Sequence, residues 1–291
     1  MEPTPGPQIN SQTELHTDSN GEKLPLCVDL DGTLVQSDTL VESLVELIRQ
    51  WRVLARLPYW LLLGKARLKR ELAERARLDY AFLPYRNELL TYLRKEKSRG
   101  RYLVLATAAN QSIADGVAAH LGIFDEVLAS NDTINLRGEA KARALCARFG
   151  ERQFSYAGNA HSDLRVWRSA GSAVLVATSR SISYSALQAT NLEHKIGRSG
   201  SRLRALLRAL RPYQWSKNAL VFVPILTSGE LRDLRGWYSA GLMFAALCMV
   251  ASALYLVNDL TDLTADRRHP RKRNRPLASG APKRESQRHW C

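Results

Sequence analysis

The chain has 291 residues, 45% of them hydrophobic, which is enough for a sizeable core and two domains and excludes a chain too polar to fold. The formal net charge of +14 is unevenly placed: residues 1–194 hold 24 Lys and Arg against 22 Asp and Glu, whereas residues 195–291 hold 18 against 6. A basic excess gathered in one part suits a membrane surface or a phosphate-rich small molecule, and no nucleic-acid partner is expected. The four cysteines, Cys27, Cys146, Cys248 and Cys291, show no paired spacing and read as free thiols of a reducing compartment. The N-terminus is polar, so no secretory signal is expected.

Residues 1–22, rich in Pro, Ser, Asn and Thr, read as a disordered tail. An apolar run then leads into Asp29-Leu30-Asp31-Gly32-Thr33. At the C-terminal end of a strand the chain turns, so both carboxylates can face one crevice, where open α/β sheets bind ligands. Gly32 permits the turn. Asp29 can attack a phosphoryl group as a carboxylate, and Asp31 can move the proton. Two carboxylates facing a phosphate call for a hard cation, and Mg2+ suits oxygen ligands. The plain alternative is a strand end with two solvated acids.

Apolar and polar residues alternate at helical spacing over 38–50, followed by an aromatic and basic stretch at 51–60, an apolar patch at 57–63 and a charged helix over 65–78. The patch is too short to span a bilayer and is expected to pack internally. From 85 to 188, helical patterns at 85–98, 111–121, 141–149, 161–169 and 181–188 separate strands at 101–106, 126–129, 153–157 and 172–176. Such alternation predicts a parallel sheet flanked by helices.

The Asp29–Thr33 stretch, Thr107 at the end of a strand, Lys141 in Gly-Glu-Ala-Lys, and Gly158-Asn159-Ala160-His161-Ser162-Asp163 follow one another in an order that resembles the haloacid dehalogenase (HAD) phosphatase superfamily. The resemblance implies an α/β fold, a Rossmann-like parallel sheet with a helical cap inserted at about 38–84, and a phosphatase domain over 23–194. It implies that Asp29 is the nucleophile and Asp31 the acid and base, with Thr107 and Lys141 binding the phosphate. It implies Mg2+ on Asp29, Asp31, Asn159 and Asp163. The family usually has an acid where Asn159 stands; an Asn carbonyl ligates a hard cation without adding charge. His161, beside this motif, reads as a local helix cap.

The second half changes solvent. Seven Lys or Arg occupy 195–217, then two apolar segments follow, 213–228 and the uncharged 236–257. The second is long enough for a hydrocarbon core of about 30 Å. Both spanning would make a transmembrane hairpin whose basic flanks, by the positive-inside rule, face the cytoplasm of the inner or plasma membrane, with the phosphatase domain on that side. Asn258, Asp262 and Asp266 are spaced to share a helix face, with Asp259 in reach. Carboxylates at a membrane-helix mouth are costly without a cation, and Mg2+ holding a diphosphate accounts for them.

Arg211-Pro212-x-Gln214-Trp215-x-Lys217-Asn218 and Asn258-Asp259-x-x-Asp262-x-x-x-Asp266-Arg-x-His-Pro-x-Lys-Arg-x-Arg275-Pro resemble the UbiA-type prenyltransferase superfamily, most of all its decaprenyl-phosphate phosphoribosyltransferase branch. The resemblance implies transfer onto polyprenyl phosphate or diphosphate lipids. Asn258, Asp259, Asp262, Asp266, Lys217 and Arg275 would bind the diphosphate, and Asp262 and Asp266 its metal. That family has about nine membrane helices, so residues 195–291 are expected to be a truncated transferase domain. The leading expectation is a membrane-attached Mg2+-dependent phosphohydrolase fused to that fragment. The alternatives are a piece of a phosphoribosyltransferase-like enzyme, or a HAD domain weakened by Asn159 into a regulatory module.

Overall fold

The computed structural model describes residues 23–47, 55–62, 71–72, 75–76, 78–131, 135–197, 207, 209–229, 232–272, 275 and 278. The predicted tail, most of the predicted helix 65–78 and most of the basic run before residue 209 lie outside these residues, as does Cys291. Cys27, Cys146 and Cys248 are free thiols.

Six parallel strands form one sheet in the order β3-β2-β1-β4-β5-β6: β1 (Leu26–Val28), β2 (Leu103–Asn110), β3 (Glu126–Ser130), β4 (Ser155–Gly158), β5 (Ser172–Val176) and β6 (Asn191–Ile196). Val28 pairs with Leu105 on one side and with Ala157 on the other. The helices are α1 (Thr39–Leu47), α2 (Leu57–Leu62), α3 (Asn87–Ser98), α4 (Gln111–Leu121), α5 (Glu139–Phe149), α6 (Leu164–Trp167), α7 (Arg180–Leu187), α8 (Val223–Thr227), α9 (Leu234–Thr261) and α10 (Leu263–Arg268).

The central strands β1, β2, β4 and β5 are buried on both faces, as parallel sheets are, and the period of two still sorts their side chains. Leu26, Val28, Leu103, Leu105, Val174 and Val176 face one layer, with Leu89 and Leu93 of α3 and Ile113 and Val117 of α4. Cys27, Val104, Tyr156, Ala173 and Leu175 face the other, with Leu145 of α5 and Trp167 of α6. The sheet is thus the middle of three layers. The chain winds outward one way through β2 and β3 and the other way through β4, β5 and β6, so the carboxyl ends of β1 and β4 meet where the winding reverses.

The sequence reading places no strand at 191–196. Asn191, Leu192 and Lys195 are exposed there, so this edge strand lacks an apolar run. It is fixed by Glu193, which binds Arg101 Nη2 at 3.0 Å and accepts from Ser172 Oγ at 2.7 Å. Arg101 is buried and also reaches Glu96 and Ser155, tying α3, β2, β4 and β6 together.

Between β1 and α3, α1 and α2 form part of the inserted region. Trp60 is buried against Leu47 and Leu72, but Tyr59 and Leu62 are exposed, so the apolar patch packs internally on one side only.

At the C-terminal end, α9 has 28 residues, and its most apolar 18-residue stretch has a mean hydropathy of 2.2, the length and composition of a membrane span. The expected helix at 213–228 differs from the prediction: Pro212–Phe222 is a 3-10 helix, and only α8 continues it in α form. Pro224 has no N–H for the Leu220 carbonyl, which takes the Val223 N–H instead. The two segments run antiparallel: Trp215 Nε1 donates to Ser252 Oγ at 3.0 Å, and Phe222 packs on Phe244 and Trp237 nearer the turn.

The hairpin is anchored on the α/β domain. Arg267 of α10 grips Glu42 of α1 with both terminal nitrogens, one at 2.7 Å, and both side chains are buried. Leu263, Ala278 and Val45 pack beside the pair.

Two predictions follow from these ion pairs. Burial alone pushes Glu193 up, but hydrogen bonds and charge from Arg101, with hydrogen bonds from Ser172 and Ser155, bring its carboxyl from 4.5 down to about 2. A carboxyl held low in the folded state stabilises it above the unfolded value and loses that contribution as pH falls. Denaturant titration between pH 4.5 and 2 should show stability falling, and less steeply in Glu193→Gln. Replacing Arg267 with Met strands a buried carboxylate and should cost about 3–5 kcal/mol. Adding Glu42→Gln should recover much of that loss, read as a cycle of unfolding midpoints in detergent.

Candidate active site

Asp29 follows the last residue of β1, and its backbone N–H donates to Ala157 of β4 at 3.0 Å. Its side chain therefore emerges at the point where the winding reverses. Lys141 Nζ donates to Asp29 Oδ1 at 2.6 Å, and Thr33 Oγ1 donates to Asp29 Oδ2 at 3.2 Å. Both partners are buried. Lys141 comes from the first turn of α5, which starts at this end of the sheet after β3.

Gly32 turns the chain here with φ +75°, and a Cβ on it would come within 2.4 Å of Asn159 Nδ2. The left-handed turn and the Asn159 side chain thus both require glycine. Asp31 lies beyond Asp29, and its Oδ1 accepts the Thr39 N–H at the start of α1 at 2.7 Å. Burial, then the charges of Asp38 and Asp29, push Asp31 up to about 7 in spite of that bond.

Asp163 Oδ2 accepts the backbone N–H groups of Asn159 and Ala160 at 3.0 and 2.9 Å. Its Oδ1 accepts from the hydroxyl of Tyr156 at 3.1 Å. Burial and the charge of Asp29 nevertheless raise the Asp163 carboxyl. Lys141 Nζ donates to the same Tyr156 oxygen at 2.9 Å. A fully buried tyrosine thus links the ammonium to the third carboxylate.

Asp29, Asp31, Lys141 and Asp163 all line one cleft of about 460 Å³, together with Asn110 and Arg137. Thr107 is fully buried; its hydroxyl accepts the Ala109 N–H at 3.0 Å, and the cleft wall here is Ala108, Ala109 and Asn110. Asn159 packs on Gly32. His161 is exposed at the start of a short 3-10 turn.

The sequence reading missed three members: Thr33 as a partner of Asp29, the Thr39 amide on Asp31, and Tyr156. Tyr156 carried a signal, since a tyrosine inside a buried strand needs a partner for its hydroxyl.

The donors facing the cleft are oxygens, which suits a hard divalent cation rather than a soft one. Among the described residues no three His, Cys, Asp or Glu side chains form a closed ligand set. Asp29, Asp31 and Asp163 each already accept hydrogen bonds from the chain, and a carboxylate oxygen has lone pairs left for a cation beside such a donor.

The second predicted constellation is arranged differently from its expected face. Asp259 and Asp266 are buried together, whereas Asn258, Asp262 and Lys217 are exposed. Steps of four residues drift around a helix of 3.6 residues per turn, but a step of seven nearly closes two turns. Asp262 also marks the break between α9 and α10. The two buried acids are taken by cations of the chain: Arg211 Nη2 holds Asp259 at 2.6 and 2.9 Å, and Arg275 bridges Asp259 at 3.2 Å and Asp266 at 2.6 Å.

Phe at position 156 would leave Lys141 with one partner fewer and Asp163 Oδ1 unpaired. Tyr156→Phe should therefore lose about 1–3 kcal/mol, seen as a lowered thermal midpoint.

Residues 26–168 match the model of the haloacid dehalogenase-like hydrolase family. The chain is 37% identical over 284 residues, 93% of its length, to the protein y4nM of Sinorhizobium fredii, and spans about half (53%) of that relative. A 77-residue stretch, 26% of this chain, is 46% identical to decaprenyl-phosphate phosphoribosyltransferase of Corynebacterium glutamicum and covers 23% of it. Among solved structures, a HAD family hydrolase of Salmonella enterica serovar Typhi is similar over 62% of this chain and 71% of its own, at 17% identity and a TM-score of 0.43. The six-stranded α/β part of this chain has the haloacid dehalogenase-like fold, and residues 26–168 within it match that hydrolase family.

Proposed function

We propose that the α/β domain is a Mg2+-dependent phosphohydrolase acting on a small phosphorylated molecule, and that α9 attaches it to a membrane with the domain on the cytoplasmic side. The observation that carries the reading is the pairing of Asp29 with Lys141 in a cleft that also holds Asp31 and Asp163.

In the first step an Asp29 carboxylate oxygen attacks phosphorus, and the bond from phosphorus to the leaving oxygen breaks. Asp31, raised to about 7, keeps a proton near neutral pH and gives it to that oxygen. In the second step water attacks the aspartyl phosphate, Asp31 takes the proton, and the Asp29 carboxylate is restored. Lys141 offsets the negative charge of Asp29 and of the incoming phosphoryl oxygens. Thr33 fixes the carboxylate plane, and the Thr39 amide aims Asp31. Thr107 supports the backbone of the phosphate-facing wall from below. A divalent cation held by Asp29, with Asn159 and Asp163 around it, would neutralise further phosphate charge and leave the Asp31 carboxyl to carry the proton.

A second reading concerns the other half. The identity with the decaprenyl-phosphate phosphoribosyltransferase of Corynebacterium glutamicum supports descent from a UbiA-type enzyme that acts on polyprenyl phosphate or diphosphate lipids. In this reading Arg211 and Arg275 occupy Asp259 and Asp266 until a cation and a diphosphate take their places, beside Asn258, Asp262 and Lys217. The matched stretch covers less than a quarter of that relative. The hydrolase is therefore the activity proposed for this chain.

The full chain in detergent should hydrolyse p-nitrophenyl phosphate with Mg2+, and Asp29→Asn should lower kcat at least about a hundredfold, since the covalent route is lost. Unchanged turnover in that variant removes Asp29 as the nucleophile. No turnover in the native chain with Mg2+ across pH 5 to 9 removes the hydrolase reading altogether.

A further inference from the structure

A second concavity, of about 830 Å³, opens beside the catalytic cleft. It is lined by Arg137, Gly138, His161, Ser162, Arg165 and Arg168, among others, and by no carboxylate. Arg137, Gly138 and Ser162 line the cleft as well, so the two concavities share a wall. The contrast in charge across this wall is sharp. Four carboxylates and Lys141 stand on the cleft side, Arg165, Arg168 and His161 on the other, and Arg137 on the wall between them.

The arginines are available. Arg137, Arg165 and Arg168 are exposed, and among the described residues none of them has an ion pair with Asp or Glu. Elsewhere in the domain, Arg101 pairs with Glu96 and Glu193, and Arg148 with Glu126. Like charges brought together without counter-charge repel one another, a cost that a bound anion removes. Gly138 adds backbone to the same wall. It precedes α5 with φ +55°, and the Arg165 side chain passes it at ordinary contact distance from where a Cβ would sit. Guanidinium groups are suited to phosphate because they present several donors in one plane.

We propose that this groove is a second anion subsite, and that the substrate is a phosphomonoester carrying another phosphate, or a diphosphate, on the same molecule. The terminal phosphoryl group sits in the cleft against Asp29 and Lys141. The second group lies across the shared wall against Arg137, Arg165 and Arg168. This names the substrate class for the hydrolase reading and rests on it for the chemistry, but not for the binding. The acidic cleft by itself repels a polyanion; the basic groove beside it draws one in and fixes which end enters.

The test measures binding, so it is independent of turnover. The full chain in detergent is titrated calorimetrically with inorganic phosphate and with pyrophosphate, in the absence of metal. Pyrophosphate is expected to bind at least about tenfold tighter and to be displaced by excess phosphate. In the double variant Arg165→Ala with Arg168→Ala this preference should collapse to within about twofold. In Arg165→Lys with Arg168→Lys, which keeps the charge, most of it should remain. Equal affinity of the native chain for the two anions overturns the subsite, as does an alanine variant that keeps the preference. A preference lost equally in the lysine variant overturns its electrostatic basis. Hydrolysis that fails while the pyrophosphate preference stands sinks the reaction and leaves the subsite.

Discussion

The contact between Lys141 and Asp29 is the constraint on which the rest of the domain depends. Asp29, Asp31 and Asp163 at one cleft repel one another, and burial removes the water that would screen them. One ammonium, delivered by the first turn of α5, makes the cluster tolerable. It can do so only if β1, β4 and the start of α5 end at the same edge, which parallel winding with a reversal between β1 and β4 ensures. The offset is incomplete: Asp31 and Asp163 both remain raised, and the charge of Asp29 contributes to each. A site left with excess negative charge on hard oxygen donors is electrostatically prepared for a cation and for the phosphate that comes with it.

Much of this could be read from the residues, because it rests on local rules. An apolar run ending in Asp-x-Asp-Gly-Thr marks a strand and a turn, and Gly32 has the positive φ that the turn demands. Alternating helices and strands gave the parallel sheet, since each crossover needs a helix. What escaped depends on distant partners. β6 has no apolar pattern and is held by Glu193 against an arginine 92 residues away. Tyr156 looked like one more core residue, and its hydroxyl acquires meaning only when Lys141 and Asp163 arrive on either side of it. Asp259 and Asp266 share a face because seven residues fit two turns better than four fit one, an effect that the i, i+4 rule of thumb hides over longer spans.

The hairpin and the cleft are connected through α1. Arg267, one residue past Asp266, holds Glu42 near the start of that helix. Three residues earlier, Thr39 gives its N–H to Asp31. The Arg–Glu pair is buried, and a buried pair is stiff: either partner alone is costly, so the two move together. The orientation of α1, and with it the amide that aims Asp31, is therefore set partly by residues of the apolar half. An α/β hydrolase could hold this helix with apolar packing alone. Here a buried ion pair with the second half does part of that work, and it ties α10, whose Asp266 is itself bound by Arg275, to the helix whose first amide holds Asp31.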